Sequence, residues 1–150
     1  METPIVFLED TGHVRFGAWN FVPEADRLPF DFGLLALSLL LDLVSAKPES
    51  SVDDDCVSSS LVLILGPPDT VIDEGFQLFR IAKDVTGKLA ELTANEIIEA
   101  ACEWHRKLAE KRLSDQPEQS VLQNALIKLN GLARRAEATK KSLFVEQLFR

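Results

Sequence analysis

The chain has 150 residues, of which 46% are apolar and 27% charged, and its formal net charge is −8. This length and composition predict one domain over 1–150 that folds without a metal or disulfides. The many Leu, Ile, Val and Phe residues exclude a disordered chain, and the net acidity disfavours unspecific binding to nucleic acid or to an anionic membrane.

The N-terminal residues and the cysteines point to the cytoplasm. The first residues lack a basic region followed by an apolar stretch, so no secretory signal is predicted. The longest apolar run, 32–41, is shorter than the ~20 residues that a bilayer span needs. Cys56 and Cys102 lie far apart and are expected to be reduced thiols. We therefore expect a cytoplasmic protein without membrane contact.

Two apolar runs near the N-terminus predict a β-hairpin. Pro4–Glu9 and Val14–Phe21 flank the turn-forming sequence Asp10-Thr11-Gly12. Two short apolar runs that flank a glycine-containing turn are typical of two antiparallel strands. The chain is thus expected to begin with strand structure.

A buried helix and a strand are predicted next. Asp31 is expected to cap a helix that runs to about Ser45 and is apolar all round, so other elements should cover it. Glu49–Ser60 is rich in Ser and Asp and predicts a mobile loop. The apolar run Leu61–Leu65 then predicts a buried strand.

The stretch 70–89 leaves two alternatives. A second hairpin would consist of Phe76–Lys83, a turn at 84–87 and a strand over Lys88–Leu92. The alternative is one helix over Thr70–Leu89. Two glycines in this stretch would each cost a helix about 1 kcal/mol, which favours the hairpin.

The C-terminal third predicts two helices. Thr93 and Glu96 form a capping-box pattern, and the helix after them is expected to reach about Leu113. Its inner face follows helical spacing and consists of Ile97, Ala101, Trp104 and Leu108. Pro117 suits the first turn of the last helix. That helix carries apolar residues at seven-residue intervals, namely Leu122, Leu129, Ala136 and Leu143.

The seven-residue spacing leaves the packing of the last helix open. The two helices over about 94–149 are expected to form an antiparallel pair, although the same spacing permits a homodimer through the last helix. With the preceding elements, they predict an α+β fold. Its parts are an N-terminal β-hairpin, a buried central helix, a second short hairpin or strand and the helical pair.

Standard catalytic and metal-binding patterns are missing from the sequence. Gly66 precedes two prolines, which lack the N–H groups that a phosphate loop provides. Ser58–Ser60 lies outside any nucleophile elbow. The possible soft metal ligands lack a close cysteine pair and are His13, Cys56, Cys102 and His105. We therefore predict no catalytic residue, no metal site, no cofactor and no enzyme activity.

Charge is distributed unevenly along the chain. Residues 1–60 carry 11 acidic and 3 basic residues, a net −8, whereas residues 117–150 carry 3 acidic and 6 basic residues, a net +3. Asp53, Asp54 and Asp55 are predicted to contact a basic partner. The basic C-terminal residues either bind nucleic acid or lie against the acidic first half, and they are Lys128, Arg134, Arg135, Lys140 and Lys141.

These observations favour a non-enzymatic protein-binding domain. An acidic inhibitor of the immunity-protein type, an assembly chaperone or an accessory subunit would each dock on a basic protein partner through electrostatic steering. The first alternative is a subunit of a nucleic-acid complex that uses the basic C-terminal helix. The second is a small enzyme with an unfamiliar site around His13 or His105.

Overall fold

A computed structural model describes residues 4–10, 22–30, 34–45, 61–65, 75–110 and 117–149. These residues form a five-stranded antiparallel sheet and four α-helices, which confirms the predicted α+β class. The strands are β1 (Ile5–Glu9), β2 (Arg27–Pro29), β3 (Leu61–Leu65), β4 (Gly75–Ile81) and β5 (Ser142–Phe149). The helices are α1 (Leu34–Ser45), α2 (Lys83–Glu91), α3 (Ala94–Glu110) and α4 (Gln119–Thr139), and a 3-10 turn (Glu24–Asp26) precedes β2.

The predicted early strand, central helix and apolar strand are confirmed as β1, α1 and β3. The second strand of the predicted N-terminal hairpin, Val14–Phe21, lies outside the described residues, as do Asp31 and the loop Glu49–Ser60. In the described sheet β1 pairs with β2 on one side and with β5 on the other. The edge strand beside β1 is therefore β2.

The last strand, β5, occupies the centre of the sheet. The strand order is β2-β1-β5-β4-β3, and every pair is antiparallel. Leu143 and Val145 join the core cluster on the helix-covered face, whereas Phe144 packs on the opposite face. There the Phe144 ring stacks on that of Phe7 with centroids 5.8 Å apart. Both faces of β5 are thus buried.

This strand corrects the predicted extent of the helical pair. The pair was expected over about 94–149 with Leu143 in its last helix, but α4 ends at Thr139. Lys140 adopts the left-handed conformation, with φ of 57°, and its N–H bonds to the Ala136 carbonyl. The Lys141 N–H donates to the same carbonyl at 3.0 Å. A left-handed residue stops the helix here without the glycine that usually marks such an end.

The prediction of a second hairpin is confirmed only for its first strand. β4 is present, but the predicted turn at 84–87 and the strand over Lys88–Leu92 are wrong because α2 occupies these residues. A helix over all of Thr70–Leu89 is also wrong, since residues 75–81 form β4. Val85 and Leu89, four residues apart, are both fully buried in the helical layer. Their burial outweighs the helix penalty of the intervening glycine.

Helix α3 follows the sequence prediction closely. The Thr93 hydroxyl accepts from the Glu96 N–H at 3.2 Å, and the Glu96 carboxylate accepts from the Thr93 N–H at 3.1 Å. This reciprocal pair is the predicted capping box. The predicted inner face of α3 is buried, and the Trp104 indole N–H donates to the Ala36 carbonyl of α1 at 3.1 Å.

Helix α4 begins slightly later than predicted, because Pro117 precedes the N-cap Glu118 instead of lying in the first turn. Its buried side packs on α2 and α3, and it reaches β1, β2 and β5. The four residues at seven-residue intervals are all at most 1% exposed within the chain itself, namely Leu122, Leu129, Ala136 and Leu143. The heptad spacing therefore reflects internal packing.

Candidate functional site

Several residues singled out from the sequence lie outside the described residues. These are the acidic cluster Asp53, Asp54 and Asp55, together with His13, Cys56 and Ser58–Ser60. Their predicted roles stay predictions.

Cys102 and His105 lie on α3 three residues apart, with Cys102 exposed and His105 half-buried. Within the described residues, no group of three or more His, Cys, Asp or Glu side chains could hold a metal ion. Both residues lie on the outer surface of α3.

The basic residues of α4 separate into two kinds in the structure. Arg134 reaches α2, where its guanidinium donates to the Ala90 carbonyl at 3.2 Å and to the Leu92 carbonyl at 3.5 Å. Arg135 reaches the 3-10 turn and contacts the Asp26 carboxylate at 2.6 Å, as an ion pair without hydrogen-bond alignment. These two arginines thus contact other elements of the same chain.

Lys128, Lys140 and Lys141 are exposed. Lys140 and Lys141 line an open pocket of about 560 Å³ near the end of α4, together with Lys83 and Ser142. Acidic Asp84 and Glu137 line the same pocket, so its charge is mixed.

Lys128 lines a larger open groove of about 630 Å³, between the edge strand β2 and α4. We call it the β2–α4 groove. Half of the residues that line it are apolar, namely Ile5, Ala25, Leu28, Pro29 and Leu132. Arg27 and Arg135 add two cations, and Glu24 adds one carboxylate. Gly131 completes the α4 side. The volume of the groove falls in the range of about 300–1,000 Å³ that is common for ligand sites.

The sequence singled out Lys128 and Arg135 by their charge but missed the rest of this groove. Arg27, Pro29 and Gly131 come from segments about a hundred residues apart, which meet only because β2 is the edge strand beside α4. The prolines at 23 and 29, which bracket a polar loop, are the one local signal that this segment has a special conformation.

The outer surface of α3 carries two parallel stripes. The first, the Ile98 stripe, contains no acidic, Lys or Arg side chain and consists of Ala94, Ile98, Cys102, His105 and Ala109. The second, the acidic ridge, consists of Glu96, Glu99, Glu103 and Glu110 with Arg106 among them. Steps of three and four residues keep each stripe on one side of the helix.

Arg106 holds part of the acidic ridge together. Its guanidinium bonds to the carboxylates of Glu103 and Glu110. The hydrogen bond from Arg106 lowers the pKa of the Glu103 carboxyl below its ordinary value, and the same bond raises the pKa of Arg106. Both groups are therefore charged at neutral pH, and the ridge keeps an excess of negative charge.

The Ile98 stripe exposes a large apolar side chain next to this negative charge. Ile98 is 46% exposed, and among the described residues the other large apolar side chains with comparable exposure are Val62, Val121 and Ile127. Ile127 lies on α4 and is 47% exposed, which makes it a matched comparison for Ile98.

Comparison of the chain with protein-family models, with curated proteins and with solved structures finds no match. Among the described helices, none combines the length and the apolar character needed to cross a lipid bilayer.

Proposed function

We propose that the chain is a non-enzymatic protein-binding domain that docks on a basic segment of a protein partner through the outer surface of α3. The observation that carries the proposal is the Ile98 stripe beside the acidic ridge. An exposed Ile with flanking carboxylates fits a segment in which apolar and basic residues alternate along one helical face.

The two stripes contribute to binding in different ways. Burial of Ile98 against a partner removes apolar surface from water, which supplies affinity. The acidic ridge attracts a basic segment over a distance and orients it, which raises the association rate more than the affinity. The net charge of −8 on the first 60 residues, to which Asp53, Asp54 and Asp55 contribute, adds to the long-range attraction of a basic partner.

The nucleic-acid alternative has less support, because Arg134 and Arg135 contact the chain's own carbonyls and the Asp26 carboxylate. A nucleic-acid surface needs cations that are available to phosphates. The α3 surface carries the opposite charge, so the two hypotheses predict opposite ligand preferences.

The test is calorimetric titration of the full chain with a synthetic amphipathic helix made of Leu and Lys, and with the same helix in which Glu replaces Lys. We expect the basic helix to bind and the acidic one to bind at least about tenfold more weakly. Ile98→Ser should weaken binding of the basic helix about tenfold, because it removes the apolar anchor. Glu99→Lys should also weaken binding of the basic helix, and its effect should grow as the salt concentration is lowered, because salt screens the repulsion between the new Lys and the helix.

Two substitutions act as controls. Ile127→Ser removes an equally exposed apolar side chain from α4, and Glu91→Lys makes the same charge change on α2. Both should leave the affinity within about twofold. If Ile98→Ser and Ile127→Ser weaken binding equally, or if the acidic helix binds as tightly as the basic one, the proposal fails.

A further inference from the structure

The β2–α4 groove contains a glycine that packing does not require. Gly131 lies in the interior of α4 on an exposed side of the helix, where alanine would be more favourable. A Cβ atom built at Gly131 meets no atom of the described residues within 4 Å. Since Gly131 lines the groove, the missing side chain widens it. A helix-disfavouring residue without a packing reason is typical of a functional surface.

Charge around the groove favours an anion. Arg27, Lys128 and Arg135 line it with one carboxylate, Glu24. Asp26 is 13% exposed and is already in contact with Arg135. Lys128 makes no hydrogen bond or ion pair with another described residue, so its ammonium group is the cation available to a ligand. This local excess of positive charge occurs in a chain with a net charge of −8.

The outer edge of β2 does not suit the addition of a peptide strand. The Phe30 N–H donates to the Pro4 carbonyl at 2.8 Å, so the antiparallel alternation directs the backbone groups of Arg27 and Pro29 outward. The Arg27 N–H already donates to the Glu24 carbonyl, and Pro29 has no N–H. The outward side of β2 therefore lacks the N–H donors that strand addition needs.

The length of the groove also favours a small ligand. Lys128 and Arg135 are two helical turns apart, or about 10 Å along the α4 axis. An extended peptide would fit only about three residues in this length. The apolar lining between the two cations suits an aliphatic or aromatic body whose charged group lies at one end.

We propose that the β2–α4 groove binds a small amphipathic carboxylate, with its apolar body against Ala25, Leu28 and Leu132 and its carboxylate at the Lys128 ammonium group. The site shares no residue with the α3 surface, so it goes beyond the proposed docking function and does not depend on it. This ligand class follows because half of the lining residues are apolar and most of the charged ones are cationic.

The test uses decanoate as the probe, below its micelle concentration, with decylammonium as a probe of the same chain length and opposite charge. We expect saturable binding of one decanoate per chain by calorimetry and at least about tenfold weaker binding of decylammonium. Lys128→Glu should weaken decanoate binding about tenfold, since it replaces the attractive charge by a repulsive one. Gly131→Leu should weaken it similarly by filling the groove.

Matched substitutions separate the groove from general effects. Lys83→Glu makes the same charge change at the exposed start of α2, and Asn124→Leu places the same Leu side chain at an exposed position of α4 outside the groove. Each should retain decanoate affinity within about threefold, and circular dichroism should show that all four variants fold.

Any of four results would overturn the proposal, and the first three concern the probes and the charge variants. They are absence of saturable decanoate binding, equal affinity for the two probes, and equal decanoate affinities of Lys128→Glu and Lys83→Glu. A Gly131→Leu protein that binds decanoate like the wild type would place the ligand elsewhere and also overturn it.

Discussion

The two helices of the C-terminal pair use their charged side chains in different ways. In α3, Arg106 bonds to Glu103 and Glu110 of the same helix, and all three side chains are at least 41% exposed. In α4, Arg134 reaches carbonyls at the C-terminal end of α2, and Arg135 reaches Asp26 beside β2. The charges of α3 thus remain on its surface, whereas those of α4 link it to other elements.

This difference has a consequence for what each helix contributes. Exposed pairs within one helix add only about 0.2–0.5 kcal/mol each, so α3 depends for stability on its buried face. Polar groups of α4 that satisfy buried carbonyls contribute more, because an unpaired buried carbonyl is costly. The surface of α3 can therefore vary at little cost, whereas the polar contacts of α4 belong to the fold.

The largest expected effect comes from the buried face of α3. Trp104→Ala removes a fully buried indole that packs on Phe30 and donates to Ala36. We expect the free energy of unfolding to fall by about 3–5 kcal/mol, measured by urea denaturation. Trp104→Phe keeps most of the packing and should lose only about 1–2 kcal/mol. A small loss in Trp104→Ala would show that α3 is held by other contacts.

A smaller loss is expected from the polar contact between α4 and α2. The Asn130 side-chain amide donates to the Leu89 carbonyl, one of the last carbonyls of α2, and Asn130 is 8% exposed. Asn130→Leu should lower the free energy of unfolding by about 1–3 kcal/mol. Asn124→Leu, at an exposed position of the same helix, should change it by no more than about 0.5 kcal/mol. If both substitutions lowered the free energy of unfolding equally, the buried contact of Asn130 with α2 would not be the cause of the loss.

Gly131→Ala is expected to increase stability. In the part of the chain that the structure describes, no atom lies within 4 Å of the added methyl group, and alanine favours the helix by about 0.5–1 kcal/mol over glycine. For a chain of this size, the thermal midpoint should rise by about 1–4 °C, as followed by circular dichroism. A lower midpoint would mean that the helix needs glycine at this position for a reason other than packing.

The smallest effect is expected for the acidic ridge of α3. Because the folded state lowers the pKa of Glu103 from 4.5, this carboxylate stabilises the fold above its unfolded pKa. That stabilisation is lost as the pH falls through the folded pKa. Glu103→Gln should therefore be slightly less stable than wild type at neutral pH and equal to it in acid. Glu99→Gln, two helical turns from Arg106, removes a carboxylate of the same ridge that has no bond to Arg106, and an equal pH dependence in the two variants would contradict the role of the Glu103–Arg106 bond.

Local signals predicted the elements that local contacts define. The capping box at Thr93 and Glu96 lies within four residues, and both its hydrogen bonds are present. The inner face of α3 followed from spacing alone. The end of α4 was missed because Lys140 takes a left-handed conformation that neither Gly nor Pro announces. Leu143 also continues the heptad spacing, so the pattern did not reveal the change from helix to strand.

The candidate sites also divide into one that local sequence predicts and one that depends on residues far apart in the chain. The Ile98 stripe and the acidic ridge belong to one helix, and helical spacing alone would have placed each of them. The β2–α4 groove combines Arg27 with Lys128, and sequence distance gives no hint that they line one cavity. α2 was missed for a related reason, since its burial against α4 outweighs the turn-like sequence around Gly87.

The central position of β5 has a consequence for folding during synthesis. Residues 142–149 join the β2-β1 pair to the β4-β3 pair, so the sheet stays in two parts until the ribosome has released them. The pairing of β1 with β5 connects residues more than 130 positions apart, and such distant contacts slow folding. Over this interval the edges of β1 and β4 that pair with β5 have no partner, and unpaired strand edges of this kind favour aggregation.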